Sequence, residues 1–200
     1  MSYLVDFIIE NPNWRELLAE KPYCLKIKDD DNYTLFMYNQ IDSDFYNPIV
    51  KEARGIILDM AGEQPRVVCR AFDKFGNYGE GYADSIDWAS AVVQEKVDGS
   101  IICLWFDAGA WHISTNSCID AFKANLSNSN LSFGKIFASA FPSDVIKQLD
   151  MEYTYIFELV SPYNKVVIDY GKDTKIYLLG QRNNNTGYEE IPEDLGLLVP

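Results

Sequence analysis

The chain reads as an α+β fold built mainly from antiparallel sheets, and three observations carry that reading. Short alternating or apolar runs recur as hairpin partners around polar turns. Only a few segments with helical spacing lie between them. No internal repeat, low-complexity tract or Gly/Ser linker interrupts the 200 residues, so 1–200 are expected to form one domain.

The elements follow in order. The first 22 residues suggest one or two short helices, with Asn13 placed to cap 14–20 and Pro22 placed to stop it. Residues 25–28 and 33–38 read as strands around the polar turn 29–32, and 55–58 and 66–71 as a second pair around 60–65. A strand over 92–97 leads through Asp98-Gly99 into a strand at 100–106. Ala108-Gly109 then turns the chain into 111–114. Residues 118–126 and 133–149 have helical spacing, the second interrupted at Pro142. Three more strands are expected at 153–160, 165–170 and 175–181, separated by Pro162 and the turn 171–173. The stretch 183–200 is polar and then ends on LGLLVP, which does not read as the close of a finished domain; the fold is expected to be C-terminally incomplete.

Composition narrows the function. At 48% hydrophobic and 14% aromatic, the chain has enough apolar surface to fold and is not a disordered sequence. No run approaches the roughly 18 apolar residues of a membrane span. The start, MSYLVDFIIENPNW, lacks a basic n-region and a cleavage site. A cytoplasmic monomer with no membrane partner is the expectation. Cys24, Cys69, Cys103 and Cys118 form no CxxC pair and read as reduced thiols. His112 is the single histidine, which rules out the usual zinc sites and nucleophile mechanisms that need a second one. In its WHIS context it reads as a strand residue.

The net charge of −13 argues against a strong non-specific grip on nucleic acid. The distribution is uneven. Residues 51–74 carry five basic groups (Lys51, Arg54, Arg66, Arg70, Lys74) against four acidic ones (Glu52, Asp59, Glu63, Asp73), so any phosphate-binding surface must be local.

The chemistry centres on Glu95-Lys96-Val97-Asp98-Gly99-Ser100. A lysine just before an Asp-Gly turn presents its amine to whatever the turn encloses, and Gly99 is free to take φ > 0 and to allow close approach of a ligand. The amine is a nucleophile only when unprotonated, against a reference pKa of about 10.4; burial or neighbouring cations such as Arg54 and Lys74 lower that value. Taken alone, this pattern is weak and reads more readily as a hairpin turn flanked by a solvated lysine than as a catalytic site. Three further segments stand beside it: Lys51-Glu52-Ala53-Arg54-Gly55-Ile56, with an arginine at a strand start; Phe72-Asp73-Lys74-Phe75-Gly76-Asn77, with a lysine between aromatics; and Phe157-Glu158-Leu159-Val160-Ser161-Pro162, with a carboxylate inside an apolar strand. Singly they read as a surface ion pair, a snorkelling lysine and an edge-strand glutamate. Their conjunction in this order does not.

Together these segments resemble the phage-type RNA ligase 1 family of covalent nucleotidyltransferases over essentially the whole chain. Lys96-Val97-Asp98-Gly99 resembles its nucleophile motif, and the segment from Phe157 to Lys165 its FEFVxPxNR-type motif. Ile176-Tyr177-Leu178-Leu179-Gly180-Gln181-Arg182-Asn183 resembles the strand that follows, with a matching polar turn after it. The Arg54 and Lys74 segments resemble two upstream phosphate-binding elements, and Tyr38 is placed like a nucleotide-contacting tyrosine. DNA ligases and GTP-using capping enzymes fit the ARGI, FELVSP and LLGQRN segments less well.

The resemblance implies an antiparallel-sheet nucleotidyltransferase (ligase adenylylation) domain. Lys96 would take AMP from ATP, and the AMP would pass to a 5′-phosphorylated RNA end that a 3′-hydroxyl then seals; the ends of cleaved tRNA are one such substrate. Arg54 and Lys74 would contact the outgoing phosphates, Asp98 and Glu158 the ribose or a hydrated Mg²⁺, and Tyr38 the nucleotide. Three departures matter, one being that the family's C-terminal domain, which gives RNA-end specificity, is not expected within these residues. Ser114-Thr115-Asn116-Ser117 stands where the family has an SKGS-like segment with a lysine. The later EGxV-type strand and KxK-type lysine pair are not found before residue 200, so self-adenylylation by these residues alone is expected to be weak. The alternative is a non-catalytic remnant that binds nucleotide or RNA ends.

Overall fold

The computed structural model describes residues 2–126, 130–164, 167–168, 170–192 and 194–200. Two antiparallel sheets lie face to face, each with its other side covered. The first carries β1 (Lys26–Asp30), β2 (Tyr33–Met37), β3 (Arg54–Asp59) and β4 (Arg66–Cys69) in that order. In the second, β5 (Ser100–Asp107) lies between β6 (Ala110–Thr115) and β7 (Tyr153–Val160), and β8 (Lys175–Asn183) and the short β9 (Glu189–Glu190) continue beyond β7.

Side-chain alternation explains the layering. Leu35, Ile57, Cys69, Cys103, Trp105 and Ile156 form one buried cluster between the sheets. Their neighbours Phe36, Ile56 and Leu58 point to the opposite side of the first sheet, where α1 (Tyr3–Glu10), α2 (Trp14–Ala19) and α3 (Pro48–Glu52) cover them. Ile102, Leu104, Phe157, Leu159 and Leu178 likewise face α4 (Phe133–Ala140) and the 3₁₀ turn Val145–Gln148. The order is helices, sheet, sheet, helices. His112 is a strand residue, stacked on Trp105 at 4.4 Å and hydrogen-bonded through Nε2 to the Asp107 carbonyl. All four cysteines are free; a hydrogen bond with Cys69, and burial after it, push the Cys103 thiol well above its usual range.

Several expectations need correction. Residues 92–97 are not a strand: Val92 and Val93 are 79% and 94% exposed and have no sheet to join. Residues 118–126 are not a helix but a looped segment tied to its neighbours by backbone bonds, Ala121 N to the Ile113 carbonyl and Leu126 N to the Leu131 carbonyl. Asn13 stands at the start of α2 but its side chain makes no capping bond, whereas Ser2 caps α1 by accepting from Val5 N. The short α3 was not expected; Asn47 caps it and Pro48 supplies its first residue, a pairing that favours a helix start. The strand expected at 165–170 includes positions outside the described residues, as does Lys165 of the motif.

Candidate functional site

A cavity of about 860 Å³ opens beside the inter-sheet core, and its walls include Arg54, Lys74, Lys96 and Glu158. That volume is within the range of small-molecule sites. Each of the four reaches it for a local reason.

Glu158 shares a strand face with Ile156, one of the residues buried between the sheets, and lies opposite Ile101 of β5. The Glu158 side of β7 is therefore the inner side. Its Oε1 accepts from Gly99 N at 2.9 Å. Burial pushes its carboxyl above the usual range, opposed by that bond and by the charges of Lys96 and Arg54. Gly99 departs from expectation here. Its φ is not positive; its missing Cβ instead clears the Leu159 carbonyl, which a side chain would meet at 2.3 Å. The glycine lets the Lys96 loop lie against β7.

Arg54 is turned inward by a bulge. Phe36 pairs with Ile56 while Met37 pairs with Arg54, so Gly55 is an extra residue in β3. Strict alternation would put Arg54 beside Ile56 on the helix-covered side, and the bulge moves it to the side of Met37. Gly55 has φ 86°, and a Cβ there would lie 2.7 Å from Asn116 Cα, so the position is closed to other residues twice over. The guanidinium donates to the Asp73 carbonyl at 3.3 Å and lies 4.8 Å from the Phe75 ring centre. Lys74 is held similarly: Nζ donates to the Phe75 carbonyl at 3.0 Å and lies over the rings of Phe45 and Tyr82. Lys96 is exposed, just before the buried Val97.

Two predicted residues do not line this cavity. Asp98 Oδ2 accepts from the backbone N–H of Val167 and Ile168, which hold its carboxyl below the usual range, and it faces a separate cavity of about 380 Å³. Tyr38 lies behind Phe45, its ring edge-on at 5.1 Å. The motif resemblance implied a place at the nucleotide for both, but residue types in order do not fix which way neighbouring side chains in a loop or at a strand end face. Conversely, Lys51 was not assigned a role, yet it lines the cavity from the end of α3, with Nζ donating to the Tyr82 carbonyl and 3.7 Å from Asp84. Its place in the KEARGI segment was the available signal.

The other arginines of 51–74 serve the fold. Arg66 pairs with Asp59 and Asp107. Arg70 pairs with Glu52 and Asp73. Among the described residues no three His, Cys, Asp or Glu side chains are grouped to hold a metal ion. Glu158 sets a buried, strand-fixed carboxylate among these cations, with Glu189 of β9 also on the wall, and such a site would suit a magnesium ion that arrives with a triphosphate and keeps most of its waters.

Four cations, Lys51, Arg54, Lys74 and Lys96, and the buried carboxylate of Glu158 line one cavity beside paired antiparallel sheets, in a nucleotidyltransferase fold of the α+β class. The same fold is present in an archaeal ATP-dependent RNA ligase, which superposes with a TM-score of 0.58 at 12% identity over 98% of this chain and 52% of that one. Residues 52–196 match the model of an RNA ligase family, and the chain belongs to that phage-type RNA ligase 1 family. It is 29% identical over 233 aligned residues to an RNA ligase of Rhodothermus phage RM378, covering 96% of this chain and 52% of the relative. It is 31% identical over 187 residues to a protein of Autographa californica nuclear polyhedrosis virus described as a bifunctional polynucleotide kinase/RNA ligase, covering 82% of this chain and 26% of the relative. The chain thus spans about half or less of the length of the curated relatives it matches.

Proposed function

We propose that this chain performs ATP-dependent joining of RNA ends through an adenylylated Lys96. The Lys96 amine attacks the α-phosphorus of ATP, forming an N–P bond as the bond to pyrophosphate breaks. The AMP then moves to a 5′-phosphate on RNA, and a 3′-hydroxyl displaces it to leave a phosphodiester. Arg54 and Lys74 take the outgoing phosphates. Both are held by carbonyls and aromatic rings rather than by carboxylates, so their charge stays available to the ligand. Glu158 faces the ribose or the hydrated Mg²⁺ that accompanies the substrate. Asp98 has a positioning role instead: its carboxylate ties the Lys96 loop to the backbone at 167–168. Tyr38 backs Phe45, which lies under Lys74. Ends of cleaved tRNA are a natural candidate substrate for this chemistry.

The observation that carries the reading is the convergence of Arg54, Lys74, Lys96 and Glu158 on one cavity. Incubation with ATP labelled at the α-phosphate, with Mg²⁺, followed by peptide mapping, tests it. Label at Lys96, weak but absent from Lys96→Ala, is expected. Label on another residue overturns the reading, and ATP binding with no label at all favours a non-catalytic binding module.

A further inference from the structure

Arg54 and Lys74 belong to the first sheet and the segment that leaves it, whereas Glu158 belongs to the second and Lys96 to the loop that leads into it. The cavity works as one site only if the two sides keep a fixed spacing. We propose that Asp73 sets that spacing: it is a positioning residue that holds the Arg54–Lys74 wall in place through ion pairs to both sheets. The proposal rests on the reading of the cavity as an ATP site.

The contacts are specific. Arg70, directly after β4, donates from Nε to Asp73 Oδ1 at 3.2 Å and from one terminal nitrogen to Oδ2 at 2.9 Å. Arg182, on β8 of the opposite sheet, donates to Asp73 Oδ1 at 2.8 Å. The two arginine side chains are 9% and 4% exposed and that of Asp73 35%, so the bridge is desolvated on its cation side and open to water on one side of the carboxylate. The backbone of the same residue does the positioning. The Asp73 carbonyl accepts from Arg54, and the next residue is Lys74, whose N–H donates to the Lys51 carbonyl at 2.8 Å. A shift of the Asp73 side chain therefore moves a ligand of Arg54 and the attachment point of Lys74 together.

The sheets do not depend on Asp73 alone. Arg70 also pairs with Glu52, and Arg182 with Glu189. Farther along the seam, Arg70 N donates to Thr154 Oγ1, Thr154 donates to Asn184, and Asn184 donates to the Val68 carbonyl. Removing the Asp73 charge leaves both guanidinium groups with a carboxylate and the inter-sheet core intact, while the cavity wall is released. The sign of the effect is diagnostic. By charge alone, Asp73→Asn makes the cavity more positive and strengthens the hold on a triphosphate. By position, it weakens that hold.

The test is calorimetric titration of MgATP into the wild-type chain, Asp73→Asn, Arg54→Ala and the double variant, below the unfolding range of each. Asp73→Asn is expected to weaken binding about tenfold, the scale of a small misplacement of charged groups. The double variant is expected to lose little more than Arg54→Ala, because the two changes act through the same contact. Unchanged or tighter binding, or fully additive losses, overturns the proposal. If Asp73→Asn fails to fold, Arg182→Lys, which keeps the charge but loses the forked contact, takes its place in the same cycle with the same expected outcomes. Wild-type protein that binds no MgATP refutes the ATP-site reading itself and the proposal with it.

Discussion

The seam between the sheets and the wall of the cavity are a few residues apart, yet they treat their cations in opposite ways. At the seam, Arg70 and Arg182 each meet two carboxylates. At the wall, Lys51 meets only the exposed Asp84, at 3.7 Å, while Arg54, Lys74 and Lys96 make no ion pair among the described residues, and Arg54 and Lys74 are steadied by carbonyl oxygens and aromatic rings. A carboxylate partner fixes a cation but neutralises it. A carbonyl or ring fixes it and leaves most of its charge for a ligand. The difference separates the charges that build the fold from those that serve the site.

Variants on either side sharpen the comparison. The largest effect is expected at the seam. Glu52 is 3% exposed and accepts from Ser2 Oγ, Tyr3 N and Leu4 N as well as pairing with Arg70, so Glu52→Ala is expected to cost about 3–5 kcal/mol in urea unfolding. MgATP affinity of the folded fraction should be nearly unchanged; a large loss of affinity would blur the division. Gly55→Ala joins the two regions. The side chain meets Asn116 backbone in a left-handed position, and relief requires loss of the bulge that turns Arg54 inward. A stability loss of about 1–3 kcal/mol is expected, accompanied by weaker ATP binding; unaltered binding would show that the bulge does not aim Arg54.

The smallest effect concerns Glu158. Its folded carboxyl titrates above its usual value near 4.5 because it is buried. Stability from that source is complete below the unfolded pKa and is lost as pH rises through the raised folded one. Glu158→Gln removes this loss while keeping an oxygen for Gly99 N. Comparing unfolding free energies of the two proteins across that pH range should show the wild type declining relative to the variant; parallel curves would argue that the carboxyl is not desolvated.

Much of this was legible in the sequence, for reasons that also explain the failures. Strand pairs such as 25–28 with 33–38 follow from alternation and polar turns, and the observed β1 and β2 occupy them with small shifts at the ends. The 92–97 segment is apolar in composition, but only Val97 finds a surface to bury against. The spacing of 118–126 fits a helix, but Ile119 and Ala121 are buried by a loop that folds over the sheets. At the site, Arg54, Lys74, Lys96 and Glu158 were identifiable by residue type and order. The inward aim of Lys51 and the outward aim of Asp98 depend on backbone geometry that no four-residue pattern encodes.

The most direct test is titration of MgATP into the wild type, Arg54→Ala and Arg15→Ala. Arg15 is an exposed arginine already paired with Asp29 at 2.9 Å, so its removal should leave affinity unchanged. Loss of the Arg54 guanidinium should weaken binding about tenfold or more, the scale of a charge-assisted hydrogen bond. Equal affinities for all three proteins would contradict the assignment of the cavity to a triphosphate.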